Sequence, residues 1–139
     1  MVERHGPLRV GRFIVEIDDV EVPGWHRVQL PANHTQEGEG SNPYGTTVFQ
    51  DLEMERTISP GDTVLVDWRD AIMDGDEDDG TRELAVILQN EDGEAEIIWT
   101  FTEAWPKSYI PPTLDPSADD DVATEKITVA FDEMQREEA

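Results

Sequence analysis

Cysteine is absent from this 139-residue chain, which removes disulfides, thiolate nucleophiles and cysteine-based metal sites. Positive charge is scarce. Ten lysines and arginines stand against 33 aspartates and glutamates, for a formal net charge of −23, and Lys107 and Lys126 are the two lysines. Nucleic-acid binding needs a basic footprint, so sequence-specific binding of this kind is not expected. No apolar run approaches the ~20 residues that cross a bilayer as a helix, so membrane insertion is not expected either. Residues 1–10 lack the apolar stretch of a secretory leader. Together with the missing cysteine, this suits assembly in the cytoplasm.

Catalytic and metal-binding patterns are missing as well. His5, His26 and His34 are scattered without ligand spacing, which argues against catalytic zinc. Asp115-x-Ser117-x-Asp119 begins like a calcium loop, but Asp120 replaces the required glycine and Lys126 falls where the bidentate glutamate belongs. Asp74-x-Asp76-x-Asp78 fails likewise, with Asp79 for the glycine and Ala85 for the glutamate. These segments read as solvated acidic loops. No P-loop, GxSxG or glycine-rich nucleotide turn occurs. The sequence therefore points to a chain without cofactor, metal or catalytic residues, and not to an enzyme.

What is present argues for a folded domain. Such net charge can accompany disorder, yet four tryptophans, four phenylalanines and dense apolar runs can build a modest core. The composition fits a carboxylate-covered surface that stays soluble in concentrated salt, that is, a halophilic protein.

The elements follow from periodicity. Phe13, Val15 and Ile17 alternate with Ile14 and Glu16, which predicts a strand. A turn at Asp18-Asp19 leads to residues 20–22, and Pro23-Gly24 breaks the arm before a second alternating stretch at 25–30. Residues 33–47 are polar and glycine-rich, predicting a long loop; residues 47–57 then read as one strand. The expected helix starts with Ser59 as N-cap, Pro60 in the first turn and Asp62 in a capping box. Its apolar stripe is Val64, Leu65, Trp68, Ala71 and Ile72, and Asp74-Gly75 ends it. Residues 84–88 form an apolar strand, Asn90–Gly93 a turn, and residues 96–101 a strand with Ile97, Trp99 and Phe101 on one face. Trp105-Pro106 should stop that strand. A last strand carries Ile127, Val129 and Phe131. The candidate core is Phe13, Val15, Ile17, Trp68, Ile97, Trp99, Phe101, Trp105, Ile127 and Val129. Fold class is thus mainly β with one α-helix, an antiparallel barrel or sandwich. It forms one domain over 1–139, with an arm at 1–10, the loop at 33–47 and a solvated tail at 132–139.

The order of these pieces carries a resemblance. It comprises the strand Phe13-Ile14-Val15-Glu16-Ile17-Asp18, a loop containing Glu37-Gly38, the tryptophan-bearing helix and the Asn90–Gly93 turn. Trp99-x5-Trp105-Pro106 and Asp121-Val122-Ala123-Thr124-Glu125-Lys126-Ile127 complete it. From about Gly11 to Phe131 the chain resembles the tail tube (inner tube) proteins of contractile phages and phage-tail-like contractile injection systems. The resemblance implies the tail-tube fold, homo-hexameric rings stacked helically into a hollow tube, and sheath, baseplate and terminator proteins as partners. It also implies that Glu37, Gly38, Glu39, Gly40, Ser41, Asn42, Pro43, Tyr44 and Gly45 reach the neighbouring ring. That loop is basic in many relatives, whereas residues 37–47 here contain no lysine or arginine. Stacking would then use hydrogen bonds and shape, or arginines such as Arg9, Arg12 and Arg27 on the facing surface. Periodicity alone leaves another class open: a small acidic monomeric binding module or nucleic-acid mimic.

Overall fold

The structure, a computed structural model, describes residues 7–38, 45–76, 80–118 and 121–139. Alternation sets the first strand: β1 (Phe13–Ile17) sends Val15 and Ile17 into the core and places Ile14 and Glu16 on the other face. It turns at Asp18-Asp19 into β2 (Val20–Val22), with Ile17 opposite Val20. Both turn residues have positive φ, 52° and 65°, the type I′ geometry that matches the twist of a two-residue hairpin. After Pro23-Gly24 the chain resumes as β3 (Trp25–Gln29), which pairs with β6 (Leu52–Thr57) through a bulge between Trp25 and Arg27.

The remaining strands complete an antiparallel sheet. β7 (Arg82–Gln89), β8 (Ala95–Ile110), β9 (Thr124–Ala130) and β10 (Glu133–Glu138) join the others in the order β2-β1-β7-β8-β9-β6-β3, with β10 also paired to β8. β8 organises this sheet. Its residues 97–102 pair with β10 and its residues 105–110 with β9. Between the two halves Glu103 takes φ 48°, and Asp132 N donates to Thr102 O at 2.9 Å. The strand thus bends there and passes from one half-sheet, β2-β1-β7-β8-β10, into another, β8-β9-β6-β3, as strands do at sheet corners.

Several expectations need correction. Trp105-Pro106 does not stop β8; the strand runs on to Ile110. Pro106 is tolerated because a register shift lies beside it, between Pro106 and Ser108. The helix, α1 (Val64–Met73), begins later than Ser59. Ser59 O instead accepts from Asp62 N at 3.1 Å, and Gly61 has φ 84°. Proline followed by a positive-φ glycine is the signature of a type II turn, and it outcompetes helix initiation. Thr63 is the N-cap, and Asp62 Oδ1 accepts from Val64 N at 3.2 Å.

Residues 47–57 form two strands, β5 (Thr47–Phe49) and β6, separated at Gln50-Asp51. The base of the expected loop is also a ladder: β4 (Asn33–Thr35) pairs with β5 as a separate two-stranded sheet. Finally, the segment expected as a solvated tail contains β10. Its polar sequence, EMQREE, hides a strand whose inward residue Met134 sits opposite Phe101.

The core lies between the two half-sheets and under α1. Val15, Ile17, Trp68, Phe101, Ile127 and Val129 are fully buried there with Leu52, Leu65 and Leu84. Phe13 and Trp99 are half-buried and pack against that cluster, whereas Ile97 and Trp105 are half-buried outside it. α1 docks through Leu65 and Trp68. Trp68 Nε1 donates to Gly80 O at 2.7 Å, and Arg69 Nη1 donates to Pro106 O at 3.0 Å, so the helix is tied to the bent part of β8.

Candidate assembly interface

The half-sheet β8-β9-β6-β3 is stiffened by a buried ion network. Arg56 on β6, 1% exposed, donates from Nε to Glu125 Oε2 on β9 at 2.8 Å and from Nη1 to Pro23 O at 3.1 Å. Its Nη2 lies 2.7 Å from Asp62 Oδ1, off the line of the N–H, so this contact is an ion pair more than a hydrogen bond. Tyr109 on β8 donates to Glu125 Oε1 at 2.6 Å, and the Arg56 guanidinium sits 5.6 Å from the Trp25 ring centre. Burial works against the charged form of Arg56, but the two carboxylates outweigh it and raise its pKa. The same guanidinium holds Asp62 below the usual carboxylate range. Burial, then the Glu125 carboxylate, pushes the Tyr109 hydroxyl up to about 12. The network ties β3, β6, β8, β9 and the turn before α1 into one block.

Around this block the sheet has open edges. Among the described residues β2 pairs with β1 alone, β3 with β6 alone and β10 with β8 alone, so each presents one unpaired side. In the 105–110 half of β8, Pro106 O accepts one hydrogen bond from Arg69 of α1. Rows of unpaired N–H and C=O groups are templates for another chain. The hairpin β4–β5 is a further open element: all six of its strand residues are exposed. Phe49 anchors its base, edge-on to Phe131 with ring centres 6.2 Å apart. Of the expected inter-ring residues, Glu37 is exposed, and Gly38 and Gly45 lie near the narrowing of the hairpin. Gly45 has φ 59°, and a Cβ there would collide with the Gln36 carbonyl oxygen, so the close approach requires glycine. Glu39, Gly40, Ser41, Asn42, Pro43 and Tyr44 lie outside the described residues.

The charges sort unevenly. Lys107 pairs with Asp51, Lys126 with Glu55 and Arg136 with Glu138. Among the described residues Arg9 and Arg12 make no ion pair, and Arg27 donates only to Gln29 Oε1, at 3.2 Å. Asp115 spends its carboxylate locally: Ser117 Oγ and N both donate to Oδ1, which lowers its pKa. No group of three or more potential metal ligands forms among the described residues. Sequence reasoning missed Arg56. It lies 69 positions from its partner Glu125, and no local signal marks such a pair.

A bent antiparallel sheet with one helix across its corner, open edges and an exposed hairpin defines a β-rich subunit fold. Solved structures share it. The chain is 25% identical to a protein of the sheath–tube complex of the extracellular contractile injection system PVC in its extended state. That match covers 96% of this chain and 93% of the other, with a TM-score of 0.78. A protein of the anti-feeding prophage tube-terminating cap is 22% identical, over 100% and 96% of the two chains, with a TM-score of 0.77. Hcp1 from Flavobacterium johnsoniae has the same fold at 16% identity, over 91% and 95%, with a TM-score of 0.66. No curated protein sequence matches the chain. The sequence profile of the T4-like virus tail tube protein gp19 family matches residues 10–135. The chain belongs to that family and is a tail tube structural protein of the contractile injection system type.

Proposed function

We propose that this chain is the repeating subunit of an inner tube, closing into hexameric rings that stack helically into a hollow conduit. The observation that carries this reading is the set of open edges on β2, β3 and β10, together with the exposed β4–β5 hairpin, in a chain of the tail tube family. Edge pairing around a closed rotation makes a ring, and head-to-tail contact between rings makes a filament. The hairpin, with the expected inter-ring residues Glu37–Gly45 between its two strands in the sequence, bridges rings.

The role is structural and has no catalytic step. Sheath, baseplate and terminator proteins are the partners, because the similar solved structures come from such assemblies. Assembly in the cytoplasm precedes incorporation into a tail or injection particle. The net charge of −23 favours a saline milieu. Electron microscopy of the purified protein in molar salt tests the reading: rings with six subunits and rods are expected. A particle that stays monomeric by size-exclusion chromatography at every concentration would instead indicate the small acidic binding module.

A further inference from the structure

Where β3 leaves the half-sheet β2-β1-β7-β8-β10, an open apolar cleft of about 280 Å³ remains. Phe13, Val28, Leu30, Leu88 and Trp99 line it, and His26 and Arg27 also border it. Val10, also on its wall, is 88% exposed. Isolated apolar side chains at a surface are ordinary, but a contiguous apolar concavity on a chain this polar marks an interaction site.

The charge around the cleft indicates what enters. Arg27 lines it, and Arg9 and Arg12 bracket Val10 in the sequence. Arg12 O accepts from Gln89 N at 2.8 Å, which fixes the Arg12 backbone next to the Phe13–Leu88 pair of the cleft wall. Among the described residues no carboxylate engages any of these three guanidiniums. The occupant must therefore offer an apolar side chain flanked by carboxylates.

The far end of β1 offers such a group. Val20, 65% exposed, stands between Asp18-Asp19 and Glu21 at the β1–β2 turn. The turn is held firm: Asp18 N donates to Glu83 O at 2.8 Å, and Glu83 N donates to Asp18 Oδ1 at 3.0 Å. Its order before contact lowers the entropy lost on docking. Arg12 and Asp18 are six residues apart along one strand, about 20 Å at ~3.3 Å per residue. Cleft and turn thus occupy opposite ends of the same element, and their pairing between copies is head-to-tail, the kind of contact that builds a filament when its rotation does not close.

We infer that the cleft between β3 and the β1–β7–β8 face is the socket for the β1–β2 turn of a second copy of this chain. Val20 fills it, and Asp18, Asp19 and Glu21 meet Arg9, Arg12 and Arg27. This contact rests on the tube reading and supplies that reading with an axial interface distinct from the hairpin.

The absence of cysteine makes the contact testable by crosslinking. A Val10→Cys/Val20→Cys variant changes two exposed positions, so folding is not at risk. Assembled in molar salt and treated with a short bismaleimide, it should give a ladder of covalent oligomers at least tenfold stronger than either single variant. A second variant probes the charges: Arg12→Glu/Arg27→Glu should shorten the rods, and adding Asp19→Arg should restore them. Normal rods without the Val10–Val20 ladder, a ladder in its place from Val10→Cys/Leu114→Cys (Leu114 being 84% exposed and outside the β1–β2 turn), or no restoration by Asp19→Arg would each overturn the socket and leave the tube standing. A protein that forms neither rods nor ladders would overturn both readings.

Discussion

Arg56 carries more of this fold than any surface charge, and the difference can be measured. Its guanidinium is almost wholly buried and contacts two carboxylates and a carbonyl oxygen. Removing one member of a buried ion pair leaves the other charge uncompensated, at a cost of about 3–5 kcal/mol. Arg56→Ala is therefore expected to lose about that much in urea unfolding, and a loss below about 1 kcal/mol would mean the network contributes little. Lys107→Ala breaks a pair in which both side chains are more than a third exposed, so its effect should stay within about 1 kcal/mol. Tyr109 gives the network a pH signature. In the folded chain its hydroxyl ionises only near pH 12, whereas an unfolded tyrosine ionises near pH 10. Between those values the unfolded state gains an ionisation that the folded state resists. Stability should decline from about pH 10 and level off past about pH 12. Tyr109→Phe should remove that part of the alkaline decline, as read from urea midpoints. An unchanged decline would show that Tyr109 is not held protonated by burial and Glu125. Asp62 acts at the other limb. Its lowered pKa adds stability above the unfolded carboxylate value near 4, which is lost as pH falls through the folded value.

Among the elements, α1 depends on one side chain. Trp68 is fully buried, its indole N–H is satisfied by Gly80 O, and Arg82 lies over its ring. Trp68→Ala should cost about 3–5 kcal/mol, the range for deleting a buried aromatic; a loss under 1 kcal/mol in denaturant melts would mean that the helix docks by another face. The stripe containing Trp68 was readable because 3.6-residue periodicity is a local property. The start of the helix was not, since Ser-Pro-Gly-Asp fits both a capped helix and a type II turn, and Gly61 decides for the turn. β1 and β7 were readable for the same local reason. β10 was not, because an edge strand needs only one inward residue, here Met134, and the rest stays polar. The continuation of β8 past Pro106 depends on a bulge that only the partner strand β9 reveals. The β4–β5 hairpin bears the test of stacking. Its strand residues are all exposed, and a two-stranded hairpin by itself is marginally stable. Replacing residues 37–45 with a short Gly-Ser linker should leave the subunit folded, because halving a loop changes closure by only about 0.6 kcal/mol. Rings are expected to persist and long tubes to vanish. Normal tubes in micrographs would reject the stacking role, and loss of the rings would move the hairpin into the lateral interface.

For the whole molecule, charge and assembly oppose each other. Ten basic residues cannot neutralise 33 acidic ones in any arrangement, so every contact between copies brings together bodies of like net charge. Specific pairings, such as arginines against an acidic turn, act over a few ångströms, while the net repulsion acts over the Debye length. That length is about 3 Å in 1 M salt and about 30 Å in 0.01 M salt. In concentrated salt the repulsion is therefore confined to near neighbours, and apolar burial and edge hydrogen bonds decide the outcome. In dilute buffer it reaches well beyond a contact and would accumulate over every chain of a ring. The buried network of Arg56, Glu125 and Asp62 is shielded from bulk ions, so the fold should be less salt-sensitive than the assembly. Dialysis from 3 M to 0.01 M salt is accordingly expected to dissolve tubes first, then rings, and to weaken the subunit last. Sedimentation velocity follows the first two steps and tryptophan fluorescence the third. Assemblies unchanged across that range would contradict a surface adapted to concentrated salt, and unfolding that precedes dissociation would show that the repulsion acts mainly within the chain.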